Sequence, residues 1–285
     1  MTAFQCSACY VVGSSFLFAV MGVCVKVASS TLPNEEIVFF RNVVALIALL
    51  PWIWRWGFRR LPTRCFSMHL TRSIVGLSAM YCFFYAIRHM FLADVTLLNY
   101  TTPLLLPLVA WVWLQEKIPV GLWIDLGIGF IGVVLLLKPG PGILHSVAPV
   151  ALLAAFLAAV AQTSIRQLTR TEPTTRIVFY FSIISTAVSF VPMLIRGYVV
   201  PARELWIALG VMGASASAAQ MFLTAAFSQA PAAQVGPFIY TSVLFAAFFD
   251  WSIFGKLPAG NTVAGAILVC SAGVLAIRRR KIMLE

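Results

Sequence analysis

Charged side chains are scarce in this chain, and their scarcity excludes most classes of soluble protein. Only 10% of the 285 residues are Asp, Glu, Lys or Arg, whereas 61% are hydrophobic. Soluble domains carry about 25% charged residues. A water-soluble fold of this size could not bury so much apolar surface, so the composition predicts a polytopic membrane protein.

Residues that would carry catalytic or metal chemistry inside a membrane are also scarce. The three histidines fall at the ends of apolar stretches or between them, and neither Gly-x-Ser-Gly nor His-Glu-x-x-His occurs. Cys6-x-x-Cys9 has no second pair and no nearby histidine, so no metal site, disulfide framework or cofactor is expected. The sequence therefore predicts a protein that is not an enzyme. An intramembrane enzyme and a non-transporting membrane scaffold are the alternatives from other classes.

Alternation of polar and apolar residues, which would indicate a membrane β-barrel, is absent as well. Lipid then leaves the α-helix as the only structure that can span it. The apolar stretches, about 18–24 residues long, are of the length that crosses a bilayer. We predict an all-α fold of ten transmembrane helices, at residues 8–28, 35–56, 70–88, 93–114, 121–138, 147–166, 175–194, 205–226, 231–254 and 260–278.

The chain repeats itself at an offset of 140 residues. The matches in this register include Phe16-Leu17 with Phe156-Leu157, Pro33 with Pro173, Ile37-Val38-Phe39 with Ile177-Val178-Phe179, Gly57 with Gly197, and Tyr100-Thr101-Thr102 with Tyr240-Thr241-Ser242. A single offset along the whole chain indicates an internal duplication. Each copy holds five predicted spans, and an odd number of crossings reverses the second copy. We therefore predict two inverted repeats, residues 1–143 and 144–285, an arrangement typical of alternating-access transporters.

The positive charge predicts orientation rather than a nucleic-acid partner. The net charge is +11, but the cations lie in short connectors and at the tail, and no soluble basic domain is present. With a cytoplasmic N-terminus, the connectors place thirteen Lys and Arg residues inside and six outside. The positive-inside rule thus predicts both termini on the cytoplasmic side of a bacterial inner membrane.

Several segments resemble the EamA family of the drug/metabolite transporter superfamily. In the first repeat these are Phe40-Arg41, Arg72, Tyr85-Ala86, Ala93-Asp94, Thr102-Pro103-Leu104, Leu114-Gln115-Glu116 and Gly127-x-Gly129-x-x-Gly132. In the second repeat they are Pro237-x-x-Tyr240-Thr241-Ser242 and Phe254-Gly255-Lys256-x-Pro258. The chain departs from the family pattern at Lys256, where relatives usually carry a glutamate, and at Ile239. The resemblance implies ten helices around a central cavity formed by the first, third, fourth, sixth, eighth and ninth.

Polar side chains near span centres are the candidate substrate ligands, because such groups are costly in hydrocarbon. They are Tyr81, Tyr85, Asn99, Tyr100, Thr102, Gln162, Gln220, Thr224 and Tyr240. The hydroxyls of the Thr and Ser residues would serve equally well in helix packing. The tyrosines of the third span could stack on a flat or cationic metabolite, or could simply pack against neighbours.

A second set of residues is expected to couple or gate transport: Arg41, Arg88, Asp94, Asp250, Pro103 and Pro237. Asp94 and Asp250 are the candidates for a proton-carrying carboxylate, and Asp94 could form an outer ion pair with Arg88. Arg41 could instead reach the headgroups or pair with Glu35 or Glu36. The two prolines are candidate hinges, because proline frees a backbone carbonyl in a helix.

These features predict a secondary transporter that moves a small polar or zwitterionic metabolite by alternating access. The first repeat resembles S-adenosylmethionine uptake carriers of the family, and the Pro-x-x-Tyr-Thr-Ser segment resembles its riboflavin-type carriers. An amino-acid or drug exporter of the same family is the alternative. The expected partners are a small-molecule substrate, the lipid bilayer, and a coupling proton or an exchanged metabolite. No nucleic acid or metal is expected, and the protein is expected to be a monomer or a homodimer.

Overall fold

The computed structural model describes an all-helical chain. The described residues are 3–57, 61–89, 92–116, 119–137, 146–197, 199–253, 255, 264–272 and 274–275. The helices are α1 Ala3–Ala28, α2 Asn34–Trp56, α3 Phe66–His89, α4 Leu92–Asn99, α5 Thr102–Leu114, α6 Val120–Leu137, α7 Ala148–Leu168, α8 Thr174–Arg196, α9 Leu205–Gln229, α10 Ala232–Ile239 and α11 Thr241–Ser252. Residues 264–272 and 274–275 are also helical.

Six stretches of described helix are long and apolar enough to cross a membrane. They are Phe4–Ala28, Asn34–Arg55, Val95–Leu114, Ala148–Leu168, Thr174–Arg196 and Leu205–Gln229. Val120–Leu135 and Gln234–Phe249 are shorter apolar helices. Large apolar side chains face outward around them, such as Ile195 at 82% and Trp54 at 77% exposure. A protein of this kind is a multi-pass membrane protein, since these side chains need lipid around them.

The helix bounds recur at the offset found in the sequence. Helices α2 and α8 begin 140 residues apart and have the same length of 23 residues, as do the 8-residue helices α4 and α10. Proline precedes both α2 and α8, and glycine follows both, with φ of 96° at Gly57 and 90° at Gly197. This positive φ is open to glycine without strain and ends each helix abruptly.

Helices from the two halves of the chain pack against each other. α1 packs along α9 just as α7 packs along α3, and α1 contacts α11 just as α7 contacts α5. The hydroxyls of Ser7 and Ser14 donate to the carbonyls of Ala226 and Ala219, each at 2.9 Å, which fixes α1 on α9 at two levels. The core therefore lies between the halves rather than within either one.

The fourth and ninth predicted spans differ from expectation in one respect. Each was predicted as one continuous helix, but α4 and α5 are separated at Tyr100–Thr101, and α10 and α11 at Tyr240. Helical hydropathy does not report such an interruption, because the residues on both sides stay apolar. The interruptions have a local chemical cause, which also shapes the candidate site.

Candidate functional site

Side-chain hydroxyls replace backbone donors where α4 ends. Pro103 has no N–H, so the carbonyl of Asn99 lacks its usual helical donor. The hydroxyl of Thr102 donates to this carbonyl at 2.7 Å, and that of Thr101 donates to the carbonyl of Leu98 at 2.7 Å. Local bonds of this kind compete with the helix, so the backbone can turn here while its buried carbonyls stay satisfied.

The same pattern occurs between α10 and α11. Thr241 donates to the carbonyl of Phe238 at 2.7 Å, and Ser242 donates to that of Ile239 at 2.8 Å. The residue equivalent to Pro103 is Val243, whose N–H instead donates to the carbonyl of Tyr240 at 3.1 Å. Both interruptions thus have hydrogen bonds from side-chain hydroxyls to backbone carbonyls, but only the first has a proline at this position.

The two interruptions meet inside the protein. The hydroxyls of Tyr100 and Ser242 are 2.8 Å apart and share a hydrogen bond. The rings of Tyr100 and Tyr240 have centroids 6.4 Å apart. Tyr240 is fully buried over Gly129, where an added Cβ would lie 2.6 Å from the ring. Discontinuous helices that meet in this way build the substrate sites of many transporters.

A cavity of about 470 Å³ lies beside the two interruptions. Pockets of about 300–1,000 Å³ suit small metabolites. The cavity extends along α1 from Val11 to Ser29 and is also lined by Asn34 at its far end. The residues that give it polar character are Ser14, Ser15, Lys26, Ser29, Asn34, Thr96, Asn99, Tyr100, Thr102, Gln162 and Ser242.

Five of the residues predicted from sequence line this cavity: Asn99, Tyr100, Thr102, Pro103 and Gln162. Tyr240 lies behind its wall, in the apolar cluster with Leu97, Leu126 and Val243, rather than on its surface. The amide oxygen of Gln162 is buried and has no hydrogen-bond partner among the described residues. A buried polar atom without a partner is costly, which makes Gln162 a candidate ligand.

The remaining predicted ligands lie elsewhere. Tyr81 is half-buried in α3, and Tyr85 is 50% exposed on the outer face, where its ring lies 4.3 Å from that of His89. Gln220 accepts a hydrogen bond from Arg72 at 3.1 Å, and Thr224 is buried one helical turn further along α9. None of these four side chains lines the cavity described above.

The predicted coupling residues fall into two groups. Arg41 is 7% exposed and contacts Phe181 and Asn42, whereas Glu35 is paired with Arg196. Glu36 accepts from the backbone N–H of Val199, so the described residues do not show the alternative pairing of Arg41 with Glu35 or Glu36. The side chains of Arg88, Asp94 and Asp250 lie outside the described residues. Pro103 stands at the start of α5, and Pro237 lies within α10.

Residues of α1 are the largest group that the sequence reasoning missed. Ser14, Ser15 and Lys26 line the cavity, and the aromatic rings of Phe83 and Phe84 join them from α3. Two adjacent serines at the centre of an apolar span were an available signal, by the same cost argument that selected Asn99. The phenylalanines carry no such signal, since a ring in an apolar span is usually packed.

An ion-pair cluster lies at the end of the bundle away from Lys26. Glu116 lies 3.1 Å from Arg166 and 3.9 Å from Arg170, and its side chain is only 12% exposed. Arg166 also donates to the carbonyl of Phe227 at 2.7 Å, which ties α7 to α9. Among the described residues, no three His, Cys, Asp or Glu side chains lie close enough together to hold a metal ion.

Two stretches of the chain match one family model, the EamA-like transporter family, over residues 6–138 and 145–278. The chain belongs to this family. It is a transporter of the drug/metabolite type, not an enzyme. The matched stretches contain the helices that carry both interruptions.

The chain is similar to several named transporters. It is 36% identical to the pseudopaline exporter of Pseudomonas aeruginosa over 271 residues, 94% of each chain. It is 31% identical to a riboflavin transporter of Brucella anthropi, over 87% of this chain and 89% of that one. An S-adenosylmethionine uptake transporter of Rickettsia prowazekii is 28% identical, over 90% and 87%. A solved crystal structure with a TM-score of 0.85 shares the fold at 16% identity, covering 97% of this chain and 98% of its own.

The hydroxyl of Thr102 gives a direct test of the interruption. It donates to the carbonyl of Asn99 and also lies 3.2 Å from that of Ala155 on α7. We expect Thr102→Val to lower the free energy of unfolding by about 1–3 kcal/mol, because the carbonyl of Asn99, which Pro103 cannot serve, loses its donor. Thr102→Ser keeps the hydroxyl and serves as the control. Thermal unfolding in detergent measures both, and equal midpoints would contradict this account of the interruption.

Proposed function

We propose that the protein is a secondary transporter that moves a small polar or zwitterionic metabolite by alternating access. The observation that carries the proposal is the cavity where two interrupted helices meet. A transporter needs a polar site near the middle of the membrane, and the hydroxyl and amide groups of Asn99, Tyr100 and Gln162 supply one. Aromatic rings of Phe83 and Phe84 complete a wall suited to a flat or cationic group.

We infer that ten membrane spans form two inverted repeats, residues 1–143 and 144–285. The equal bounds of α2 and α8, and of α4 and α10, at an offset of 140 residues support this, as do the interchanged contacts of α1 with α9 and of α7 with α3. In this arrangement α4 with α5 forms the fourth span, and α10 with α11 the ninth. The two matches to the family model divide the chain in the same way.

In the inferred topology, the protein lies in a bacterial inner membrane and both of its termini are on the cytoplasmic side. Thirteen Lys and Arg residues then lie inside and six outside, as the positive-inside rule favours. Lys26, Ser29 and Asn34, at one end of the cavity, would face the outside. The cluster of Glu116 with Arg166 would lie at the cytoplasmic end.

This combination corresponds to an outward-facing state. The cavity reaches the outer end of α1, while the cytoplasmic end is held by an ion pair and by the bond from Arg166 to the carbonyl of Phe227. Alternating access would require the cluster at Glu116 to separate when the opposite end closes. Asp94, Asp250 and Arg88 are the proposed coupling residues, with Pro103 and Pro237 as hinges.

The relatives bear on the class of substrate. Their names cover pseudopaline, riboflavin and S-adenosylmethionine, and both export and uptake. We propose a substrate with a planar ring or a zwitterionic amino-acid group, as in S-adenosylmethionine. Export of an amino acid or a drug is the alternative function within the family.

Transport assays in proteoliposomes test this proposal. The panel is radiolabelled S-adenosylmethionine, riboflavin and L-histidine, with uptake and counterflow measured for each. We expect Asn99→Ala and Gln162→Ala to lower the initial rate for the transported compound by about 10-fold or more, since each removes a polar contact in a desolvated site. The amount of folded protein should stay unchanged.

Tyr85→Phe is the matched control, because this tyrosine is half exposed on the outer face. Its rate should equal that of the wild type. Normal rates in both cavity variants would remove the proposed site. A wild type that moves no compound of the panel would contradict the proposed substrate class.

A further inference from the structure

Two buried arginines meet on one aromatic ring outside the cavity described above. Arg41 of α2 and Arg72 of α3 are 7% and 4% exposed. Their guanidinium carbons lie 5.7 Å and 4.0 Å from the centroid of the Phe181 ring. Arg41 donates to the side-chain oxygen of Asn42 at 2.7 Å, and Arg72 donates to that of Gln220 at 3.1 Å. Four helices, α2, α3, α8 and α9, thus contribute to one cationic cluster.

The side chains of the two arginines approach the Phe181 ring from opposite ends of the bundle. Arg41 is seven residues from the start of α2 at Asn34, and Arg72 is six residues from the start of α3 at Phe66. At 1.5 Å per residue each lies about 10 Å inside its helix. Successive helices run in opposite directions, so both guanidinium groups approach the middle of the bundle. Each charge therefore lies about two helical turns inside its own helix.

The positive charge of this cluster has no counter-charge among the described residues. Neither arginine forms an ion pair there. The carboxylates of Glu35, Glu116 and Glu172 are paired with other arginines, and the buried carboxylate of Glu36 accepts from the backbone N–H of Val199. Burying even one unpaired charge is very unfavourable. Contact of a cation with an aromatic ring returns only about 0.5–2 kcal/mol. Two buried guanidinium groups need an anion.

The atoms left without partners indicate a ligand group that accepts hydrogen bonds. The Nε of Arg41, the Nε of Arg72 and the Nδ2 of Asn42 are buried and have no hydrogen-bond partner in the described part of the chain. All three are donors, so they match a group that only accepts. A carboxylate accepts through two oxygens and fits the planar guanidinium fork in a bidentate manner.

Gly76 shows that the chain makes room for the guanidinium group of Arg72. A Cβ at this position would lie 2.3 Å from the Nη1 of Arg72 and 3.3 Å from the Phe181 ring. Gly76 stands four residues after Arg72 on the same face of α3. Its missing side chain therefore holds open the space in which the arginine approaches the ring.

The cluster adjoins the cavity through α9. Gln220, which accepts from Arg72, lies three residues before Leu223, which lines the cavity, so the two side chains share a face of the helix. Thr224, one turn beyond Gln220, is buried with a hydroxyl that has no partner among the described residues. A ligand held at the arginines could therefore extend past these side chains to the cavity wall.

We propose that Arg41 and Arg72 bind the carboxylate of the transported metabolite. The proposal rests on the transport function proposed above and narrows it: the substrate is an acid or a zwitterion, and its neutral or cationic analogue without the carboxylate is a poor one. Asn42 and Gln220 are positioning residues that hold the two guanidinium groups around the carboxylate.

Matched pairs of compounds test this assignment. Dissociation constants are measured on the full chain in lipid nanodiscs for S-adenosylmethionine and decarboxylated S-adenosylmethionine, and for L-histidine and L-histidinamide. We expect the wild type to bind at least one carboxylate member about 10-fold or more tighter than its partner, as charge-assisted bidentate bonds predict. In Arg41→Gln and Arg72→Gln the ratio should fall to near one.

Two glycine variants test the position of the Arg72 guanidinium group without removing a positive charge. Gly76→Ala keeps both arginines but displaces the guanidinium group of Arg72, so it should lower the ratio as well. Gly210→Ala on α9, where a Cβ would meet nothing within 4 Å, should leave the ratio unchanged. Gly76→Ala also serves if a glutamine variant does not fold, which thermal unfolding without any compound establishes.

The outcomes separate this assignment from the transport function. A ratio retained in both glutamine variants and in Gly76→Ala would overturn the role of the arginines. Equal binding of the two members by the wild type would do the same, even if transport in proteoliposomes succeeds and the proposed function stands. If the wild type neither binds nor transports any of the four compounds, the proposed substrate class fails along with the carboxylate site.

Discussion

Replacing Gly213 with alanine is expected to destabilise the protein by about 3 kcal/mol or more, at the upper end of overpacking effects. Gly213 is buried in α9 against α2. A Cβ there would lie 2.3 Å from the Cβ of Val44, 2.5 Å from its Cγ1 and 2.8 Å from the backbone nitrogen of Ala45. A backbone neighbour cannot move aside alone, so α2 and α9 would have to separate. Thermal unfolding in detergent and the yield of monodisperse protein measure the effect.

Gly210 on the same helix supplies the control. A Cβ at this position meets nothing within 4 Å, and alanine is favoured over glycine in a helix by about 1 kcal/mol. We therefore expect Gly210→Ala to unfold at the wild-type temperature or above it. If both alanine variants unfolded at the same temperature, the close approach of α2 and α9 would not be a feature of the folded protein.

Reversing the charge of Glu116 is expected to lower the transport rate by at least about 10-fold, because it removes the carboxylate that, in the proposed mechanism, holds the cytoplasmic end closed. Glu116 and Arg166 are 12% and 18% exposed, so solvent compensates little for the lost pair. Glu116→Arg would also place three cations together with Arg170. The proposed outward-facing state should lose stability relative to other states, and peptides covering residues 159–172 should exchange deuterium faster.

The exchanged pair separates charge pairing from a simple packing defect. Glu116→Arg combined with Arg166→Glu restores opposite charges at the same place but lacks the donor to the carbonyl of Phe227, so it should recover part of the transport rate. Glu35→Gln is the control, since its contact with Arg196 is long, at 3.9 Å, and more exposed. Such a surface pair contributes at most about 1 kcal/mol. Failure of the exchanged pair to recover transport, with deuterium exchange as in the wild type, would contradict a closing role for Glu116.

Helix positions were predictable where residues with a strong local preference mark the ends. Pro33 and Pro173 precede α2 and α8, and Gly57 and Gly197 follow them. Proline suits the start of a helix and glycine its end for reasons that lie within a few residues. The same proline and glycine recur 140 residues later, so each helix boundary is indicated twice in the sequence.

The interruptions of the fourth and ninth predicted spans were not predictable from hydropathy. They depend on whether the hydroxyls of Thr102 and Ser242 bond to a nearby carbonyl or to another helix. Both choices are compatible with the same apolar pattern. Pro103, a predicted hinge, lies beside the first interruption, but the second has valine at the equivalent position.

The meeting of Arg41 and Arg72 was also beyond sequence reasoning. The charge count placed Arg72 at the cytoplasmic end of the third span, as it would any arginine near a helix terminus. Its inward direction depends on the space above Gly76 and on Gln220, which lies 148 residues away. Contacts between distant segments are decided by tertiary packing, which a single sequence does not encode in any local pattern.

The hydrogen bond between Tyr100 and Ser242 shows how the two copies of the duplicated chain have diverged. At the offset of 140 residues, Tyr240 is equivalent to Tyr100 and Thr102 is equivalent to Ser242. A symmetric structure would therefore also have a bond between Tyr240 and Thr102, but Thr102 bonds to the carbonyls of Asn99 and Ala155 instead. The hydroxyl of Tyr240 has no hydrogen-bond partner among the described residues. The equivalent residues Tyr100 and Tyr240 thus have different surroundings: Tyr100 lines the cavity, and Tyr240 packs in the apolar cluster behind it. The halves are no longer interchangeable, and a chain built from two first halves would lack half of this arrangement.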